Sequence, residues 1–538
     1  MENISRRSFL GRAGFTAAAC ALTGFPQRVR AASPDAPNFI LCMSDNQGWG
    51  DVAYNGHPYL KTPVLDEMAA TGLRFDRFYS SYPICSPTRG SVMTGRFASR
   101  FGCHNYGNSL RPEELTIAEV LQAAGYATGH FGKWHLGPVK AGTPVNPGGS
   151  GFDEWLSEEA LYDLNPLLSR NGQEPVEFPG EGSEVTVDET VKFIRKSIDA
   201  EKPFFIVLWF SAPHQPYEAL PEDKNLYGGL GFNDEQEHRL GEFTAMDRAI
   251  GKLRTQLRDL GVADNTLLWF CGDNGAEAPG SATPLRGSIS SLWEAGIRVP
   301  GILEWPAGLS GPRATSVPCT TTDIFPTVAD IAGVEIENPI TPVDGISLKE
   351  LFNGTMTRRP SPIAFWWRGA WGYDYRQGND SWFDDPSDLR GFSRPFQNWK
   401  HPVAKTEDFF GEAALINNRY KLYKPREGDY MLYDFEADST GEGGEFDVSS
   451  RHPDILQAMK EHLEAWQASV ERSCTGADYK EATPVVRRRV PAARGAPKPV
   501  SRSLQTYSVD GRLRRHNRRD AAAQVHITKG KKRSVSFR

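Results

Sequence analysis

Residues 38–48 read NFILCMSDNQG, an apolar run that stops abruptly at a polar turn. Two later segments have the same design: residues 203–213 read PFFIVLWFSAP, and residues 266–275 read TLLWFCGDNG. Uninterrupted apolar runs of this length are typical of strands that are buried on both faces, as in a largely parallel sheet. The three segments therefore predict three buried strands, each of which ends in polar residues.

Helical periodicity lies between these runs, at residues 63–72, 115–124 and 235–260. Alternating strands and helices predict an α/β fold, with a large, mostly parallel sheet sandwiched by helices. In such folds ligands bind beyond the carboxyl ends of the strands. The polar residues at the three strand ends are thus candidate binding residues, namely Asp45, Asn46, His214, Asp273 and Asn274.

The sequence changes character after about residue 360. Residues 365–410 are rich in Trp, Tyr and Phe among Gly, Asp, Arg and Pro, which is typical of a long loop. Two strand candidates, 420–423 and 430–434, and a helical stretch at 453–470 then predict a small antiparallel sheet with one covering helix. The predicted organisation has four parts, which are a leader at 1–32, a catalytic domain at 33–412, a C-terminal subdomain at 413–475 and a basic, weakly ordered tail at 476–538.

Composition is that of a globular protein, with 39% hydrophobic and 24% charged residues and a net charge of only −6. The charge is unevenly distributed, because residues 487–538 hold sixteen Lys and Arg against two Asp. Such a tail either lies on the acidic body or forms an arm that binds polyanions. Nucleic acid is not an expected partner, because the N-terminus predicts that the protein is exported.

The N-terminus resembles an export signal. Residues 5–10 read SRRSFL, residues 13–25 are uncharged, and residues 29–32 read VRAA. A twin-arginine segment, a short apolar segment and a small-residue cleavage site predict export by the Tat machinery to the periplasm or the medium. The apolar segment is shorter than the ~20 residues that span a bilayer, so no stable membrane span is expected. An ordinary basic N-terminus, or lipoprotein cleavage before Cys20, remains possible.

Residues 83–96 read PICSPTRGSVMTGR and contain the most distinctive pattern of the chain. Cys85 follows a strand-like segment and precedes helix-compatible residues, so it is expected near a helix N-terminus, with Arg89 one turn further on. A buried cysteine at a turn is the simpler explanation of these residues alone. The cysteines beyond the leader are scattered without a CxxC pair, so zinc is not indicated.

The pattern Cys-x-Pro-x-Arg followed by Thr-Gly-Arg resembles the signature of the sulfatase family. Further segments resemble other family motifs in the family's order. They are DNQGWGD at 45–51, GKWHLG at 132–137, APHQP at 212–216 and DNG at 273–275. The resemblance covers roughly residues 36–470.

This resemblance implies that a formylglycine-generating or anaerobic maturation enzyme oxidises Cys85 to Cα-formylglycine, whose hydrate attacks sulfur. It implies a calcium ion, held against the converted Cys85 by oxygen ligands from Asp45, Asn46, Asp273 and Asn274. Arg89 would steady the formylglycine hydroxyl, and Asp273 would accept its proton.

The remaining roles implied by the family concern the substrate. Lys133 would bind both the sulfate and the formylglycine. His135 would be the base that restores the aldehyde. His214 would bind the substrate and donate a proton to the departing alcohol.

Two departures from the family pattern are visible. The first metal site often has two adjacent acids, whereas this chain has Asp45-Asn46, and many relatives carry a sulfate-binding Lys where this chain has Ile289. Arg286, or a residue of the aromatic segment at 365–410, is a candidate replacement for that Lys. Two other functions therefore stay open: a catalytically weakened glycan-binding relative, and a phosphatase or phosphonate hydrolase, although the latter enzymes typically have Asp-His in place of Asp273-Asn274.

The expected substrate is a sulfated carbohydrate, with a small aryl sulfate as a surrogate. Aromatic side chains of residues 365–410 could stack on sugar rings, and arginines there could bind further sulfates. These arginines are Arg368, Arg376, Arg390 and Arg394. The same aromatic residues could instead pack the segment onto the body.

Overall fold

The computed structural model describes residues 36–277, 284–334, 336, 340–367, 411–440, 446–479, 506–507 and 513–514. The predicted leader, most of the aromatic segment with its four arginines and most of the basic tail lie outside these residues. The chain divides into two compact units, Met1–Arg488 and Arg489–Arg538. In the second unit, Thr506–Tyr507 pairs antiparallel with Leu513–Arg514.

The strands of the first unit are β1 Asn38–Ser44, β2 Leu73–Phe75, β3 Phe78–Tyr79, β4 Ala127–Lys133, β5 Glu154–Glu158, β6 Leu167–Arg170, β7 Val176–Glu177, β8 Phe204–Trp209, β9 Thr266–Gly272, β10 Arg298–Val299, β11 Gly301–Glu304, β12 Arg313–Thr315, β13 Cys319–Thr320, β14 Ile363–Trp367, β15 Glu412–Ile416, β16 Tyr420–Lys424 and β17 Met431–Asp434.

The α-helices are α1 Pro63–Thr71, α2 Cys85–Thr94, α3 Ile117–Ala123, α4 Gly182–Asp199, α5 Pro221–Lys224, α6 Asp234–Asp259, α7 Glu294–Ile297, α8 Ile324–Ile331, α9 Lys349–Phe352 and α10 Pro453–Cys474. Short 3-10 helices lie at Ala53–Asn55, Ala98–Phe101, Gly148–Ser150, Asn225–Tyr227 and Thr321–Asp323.

A ten-stranded sheet forms the centre of the first unit, in the order β12-β2-β11-β9-β1-β8-β4-β5-β6-β7. Its middle strands β9, β1, β8, β4 and β5 are parallel, whereas β11, β6 and β7 run antiparallel to their neighbours. The predicted α/β fold with a large, mostly parallel sheet is therefore confirmed.

Burial on both faces explains why the middle strands are apolar throughout. Side chains of a strand point alternately to opposite faces, and in β1 Phe39 and Leu41 join one apolar cluster while Ile40 and Cys42 join another. Every residue of β1 is buried. Helices cover both faces, because α4 and α6 pack in the second cluster and α3 and α8 in the first.

Glycine is required where β4 ends. Gly132 has φ of +101°, and a Cβ there would lie 2.0 Å from the carbonyl oxygen of Trp209. A side chain at position 132 would clash with the backbone of β8. Glycine therefore allows β8 to approach β4 closely, and this close approach fixes the backbone at the next residue, Lys133.

The C-terminal part forms the predicted antiparallel sheet, in the order β14-β15-β16-β17, and α10 packs against it. Its first strand corrects one expectation, because Ile363–Trp367 pairs with Glu412–Ile416 where residues 365–367 were expected to begin a loop. Trp366 is almost fully buried in this strand, so the apolar residues here belong to the core of the sheet.

Two further properties concern the described residues as a whole. Within the described residues no disulfide joins the buried cysteines Cys42, Cys85, Cys103, Cys271, Cys319 and Cys474. Among the helices of the described ranges, none is both long and apolar enough to cross a membrane.

Candidate active site

The candidate site lies at the carboxyl ends of the central strands. The register pairs Ser44 with Gly272, so Asp45 and Asp273 leave neighbouring strands at the same level. Backbone hydrogen bonds fix this edge, because the N–H of Asp273 donates to the carbonyl of Ser44 at 3.2 Å and the N–H of Asp45 to the carbonyl of Ala212 at 3.1 Å. Backbone hydrogen bonds alone therefore hold the ends of β1, β8 and β9 next to one another.

Cys85 is the first residue of helix α2, as expected from its sequence context. All ten residues of this helix are buried, and the thiol of Cys85 lies 3.6 Å from Oδ1 of Asp45. Arg89, one turn further along, therefore points to the same edge of the sheet. The nucleophile candidate and the strand-end carboxylates form one site.

Two buried cations neutralise the two buried carboxylates. Nη2 of Arg89 lies 2.8 Å and its Nε 3.2 Å from Oδ2 of Asp273, while Nζ of Lys133 contacts Oδ2 of Asp45. Nη2 of Arg89 is also 3.4 Å from Asp45 Oδ2. Each of the four side chains is 0% exposed, so none of these charges can be compensated by water.

The two carboxylates differ in proton affinity. Burial raises the pKa of Asp45, but Lys133, His214 and Arg89 outweigh burial, and its pKa lies below the ordinary value. Burial and the neighbouring Asp45 raise the pKa of Asp273 to about 7, against the opposing charges of Arg89 and Lys133. One acid is thus firmly ionised while the other is able to gain or lose a proton near neutral pH.

The thiol of Cys85 is not suited to act as a thiolate. Burial raises its pKa well above the ordinary value, with Asp45 and Asp273 adding to the effect of burial and Lys133 and Arg89 opposing it. Reactive cysteines have a lowered pKa instead. The unmodified side chain is therefore a poor nucleophile in this position.

His214 completes the cluster around the thiol. Its Nδ1 lies 2.6 Å from the carbonyl oxygen of Gln215, and because a carbonyl only accepts, Nδ1 carries a proton and Nε2 faces elsewhere. Burial lowers the pKa of His214, partly offset by Asp45. His135 lies two residues beyond Lys133 and is 7% exposed; its place at the thiol stays a prediction.

The donor set at this edge fits a hard cation. Ligand atoms of Asp45, Cys85 and His214 lie within 4.8 Å of one another, the one such cluster of His, Cys, Asp and Glu in the described part of the chain. Oδ1 of Asn274 is buried without a hydrogen-bond partner there, although its Nδ2 donates to Asn46 Oδ1 at 2.7 Å. Carboxylate and amide oxygens are calcium ligands, and a cation would satisfy this orphaned oxygen.

A sequence model described as Sulfatase matches residues 37–334, more than half of the chain. The chain belongs to the sulfatase family. The canine N-acetylgalactosamine-6-sulfatase is 31% identical over 381 residues, which cover 63% of this sulfatase and 70% of the canine protein. Human arylsulfatase A is 31% identical over 491 residues, which cover 82% of this chain and 89% of the human protein.

Solved structures resemble this sulfatase over most of its length. Ps i-CgsB in complex with k-i-k-neocarrahexaose has a TM-score of 0.69 and 25% identity, covering 82% of this chain and 96% of that one. The phosphonate monoester hydrolase of Agrobacterium radiobacter has a TM-score of 0.55 and 18% identity, covering 84% and 100%. The second likeness shows a shared fold alone.

The loop that contains Ile289 is hydrogen-bonded to two segments of the site, the one that follows Asp273 and the one that precedes Cys85. The N–H of Ile289 donates to the carbonyl of Ala276 at 2.9 Å, and that of Ser290 to the carbonyl of Pro83 at 3.0 Å. The guanidinium carbon of Arg286 lies 3.6 Å from the centre of the Trp293 ring. Arg286 as a replacement for the family's sulfate-binding Lys stays a prediction.

Two residues of this neighbourhood, Glu277 and Tyr217, were not predicted from the sequence. Oε1 of Glu277 accepts from Nδ2 of Asn46 at 3.1 Å, and its Oε2 accepts from the hydroxyl of Tyr217 at 3.2 Å. An acid three residues beyond Asn274, and a tyrosine three residues beyond His214, were the signals that could have identified them.

The buried ion pairs can be tested through stability. Replacing Arg89 by Gln leaves Asp45 and Asp273 with one cation, and breaking a buried pair in this way costs about 3–5 kcal/mol of unfolding free energy. Urea unfolding at neutral pH measures the loss. The double variant R89Q/D273N should regain part of it, because it removes the carboxylate that R89Q leaves unpaired.

The matched control is Arg74→Gln. Arg74 and Asp76 are 37% and 33% exposed in their ion pair, so its loss is expected to cost at most about 1 kcal/mol. Equal stability of R89Q and R74Q would contradict the buried pairing at the site.

Proposed function

We propose that this sulfatase hydrolyses sulfate esters of a carbohydrate, using a Cα-formylglycine formed from Cys85 and a calcium ion in the site of Asp45, Asn46, Asp273 and Asn274. The observation that carries the proposal is the position of Cys85. Its protonated thiol lies at a helix N-terminus, 3.6 Å from Asp45, and the charges of Asp273, Lys133 and Arg89 act on it. We expect this environment to stabilise an aldehyde hydrate, whereas it disfavours a thiolate.

The formylglycine and the calcium ion would supply different parts of the chemistry. A hydrated formylglycine presents an oxygen nucleophile where the thiol now stands. Bound calcium supplies positive charge that screens the sulfate and favours loss of a proton from the hydrate.

Arg89 and Lys133 provide the fixed positive charge of the pocket. Both are fully buried and held by carboxylates, so they need no rearrangement when an anionic sulfate enters. Lys133 is the substrate-binding cation in this proposal, and Arg89 holds the side chain at position 85 from one turn below.

Proton transfers fall to Asp273 and the two histidines. Asp273 is assigned the acceptor for the nucleophile's proton, because its carboxylate lies at the same buried edge as Cys85. His214, with its Nδ1 fixed by the carbonyl of Gln215, directs Nε2 to the departing alcohol, to which it gives a proton when charged. His135 is assigned the base that restores the aldehyde.

A carbohydrate substrate is supported by the relatives. One is named N-acetylgalactosamine-6-sulfatase, and a structure at 25% identity contains k-i-k-neocarrahexaose. The aromatic residues and arginines of 368–410 are further candidates for sugar contacts. A small aryl sulfate should serve as a surrogate substrate.

The twin-arginine segment and apolar stretch of the first 32 residues support Tat-dependent export to the periplasm or medium, after which the leader is removed. The maturation enzyme that oxidises Cys85 and the Tat machinery are the expected protein partners.

Conversion of Cys85 is the first test. In protein from the native host, mass spectrometry should find the Cys85 peptide lighter by the exchange of thiol for aldehyde, with the Cys319 peptide of the same sample unchanged. Cys85→Ala should lower sulfatase activity by at least ~10³-fold, since the nucleophile is lost. Unmodified Cys85 in an active preparation would contradict the proposed nucleophile.

Calcium affinity should depend on pH because of Asp273. Its pKa is raised above the ordinary value to about 7, so below that pH the cation must displace a proton and binds more weakly, by up to about tenfold per pH unit. Calorimetry in two buffers of different ionisation enthalpy should show proton release near neutral pH.

The variant Asp273→Asn serves as the control, because it has no proton to release. Affinity that stays flat across neutral pH would contradict the assignment of Asp273. Stoichiometric zinc or manganese, together with phosphatase activity, would instead favour the phosphatase alternative.

A further inference from the structure

The charges at the metal site cancel before any cation binds. Asp45 contacts Lys133 and Asp273 contacts Arg89 in the buried network. Even with Asp273 fully ionised, these four side chains contribute two negative and two positive charges, so a divalent cation gains no net attraction from them. The neutral amides of Asn46 and Asn274 add oxygen ligands but no charge.

Glu277 is a third carboxylate at this site, and its situation differs from that of the two aspartates. Its two hydrogen-bond donors are neutral, the amide of Asn46 at 3.1 Å and the hydroxyl of Tyr217 at 3.2 Å. Within the described residues no Lys, Arg or His nitrogen lies within 4.0 Å of its carboxylate. Its negative charge is therefore offset only from a distance, by His214 and by buried Arg239, which is itself paired with Asp51 at 2.8 Å.

Asn46 connects this charge to the metal-binding turn. Its backbone N–H donates to Oδ1 of Asp273 at 3.0 Å, its Nδ2 donates to Glu277, and its Oδ1 accepts from Nδ2 of Asn274. Because Nδ2 is held by Glu277, the amide cannot rotate without breaking this bond. The orientation of Asn46 Oδ1, and with it that of Asn274, depends on Glu277.

We propose that Glu277 is a positioning residue of the cation site, which orients the amide of Asn46 and supplies, through it, the net negative charge that the site otherwise lacks. This inference rests on the calcium site of the proposed function and adds a residue to it. Ligand orientation and basicity set by such outer partners typically change metal affinity by about 10- to 100-fold.

The test is calcium affinity, measured by calorimetry on purified protein and by the calcium-dependent shift in thermal unfolding. Glu277→Gln keeps the size of the side chain and an oxygen for Asn46 but removes the charge. We expect calcium affinity to fall at least ~10-fold, with unfolding in chelator unchanged. At saturating calcium, kcat should recover most of its wild-type value.

Three further variants separate charge from structure. Asn46→Asp in the Glu277→Gln background places one negative charge on the same contact and should restore affinity. Tyr217→Phe removes the other hydrogen bond of Glu277 and should weaken binding less than Glu277→Gln. Glu235→Gln is the matched control, because Glu235 is an exposed acid that accepts from Gln215 at 3.0 Å, and it should leave affinity unchanged.

The outcomes separate this inference from the proposed function. If the wild type binds calcium and E277Q binds it equally well, Glu277 has no role and the inference is wrong while the proposed site stands. An equal loss of calcium affinity in E277Q and E235Q would also overturn the inference, because removing any nearby acid would then have the same effect as removing Glu277. If the wild type itself binds no calcium, both the metal part of the proposed function and this inference are overturned.

Discussion

The burial of four charges at one edge of the sheet is the constraint on which the site depends. Asp45, Asp273, Arg89 and Lys133 have no solvent-exposed side-chain surface, and an unpaired ion in such a place would cost several kcal/mol. They come from strands β1, β4 and β9 and from helix α2, which are distant in sequence. Pairing is therefore possible only if these elements keep their relative positions, and a one-residue slip of a strand would turn its side chains to the other face.

The same arrangement separates the roles of two chemically identical groups. Asp45 lies against Lys133 and stays ionised, whereas Asp273 is left with a raised pKa by burial and by Asp45 itself. A pair of carboxylates whose environments push their pKa values apart is a common basis for acid–base chemistry. Position 85 lies beside the ionised member, so the proposed nucleophile and the proposed proton acceptor belong to one network.

Much of this edge could be predicted from the sequence because its signals are local. Apolar runs at 38–43 and 266–271 end at Asp45 and Asp273, and parallel strands place their carboxyl ends together. The order of the ten strands could not be predicted, since it is decided by packing between distant segments. The strand Ile363–Trp367 was missed because its Trp and Phe residues run directly into the aromatic segment that follows. Glu277 was missed for a related reason, because its proposed role arises from a contact with Asn46, 231 positions away.

The central claim is that three strand ends and one helix N-terminus assemble a single cation-and-nucleophile site. A high-resolution crystal structure of protein from the native host, grown with calcium, tests it most directly. We expect one cation with oxygen ligands from Asp45, Asn46, Asp273 and Asn274 at about 2.3–2.6 Å, and density at position 85 for an oxidised side chain. Two cations at this edge, or a cation bound elsewhere beside an unmodified thiol, would contradict it.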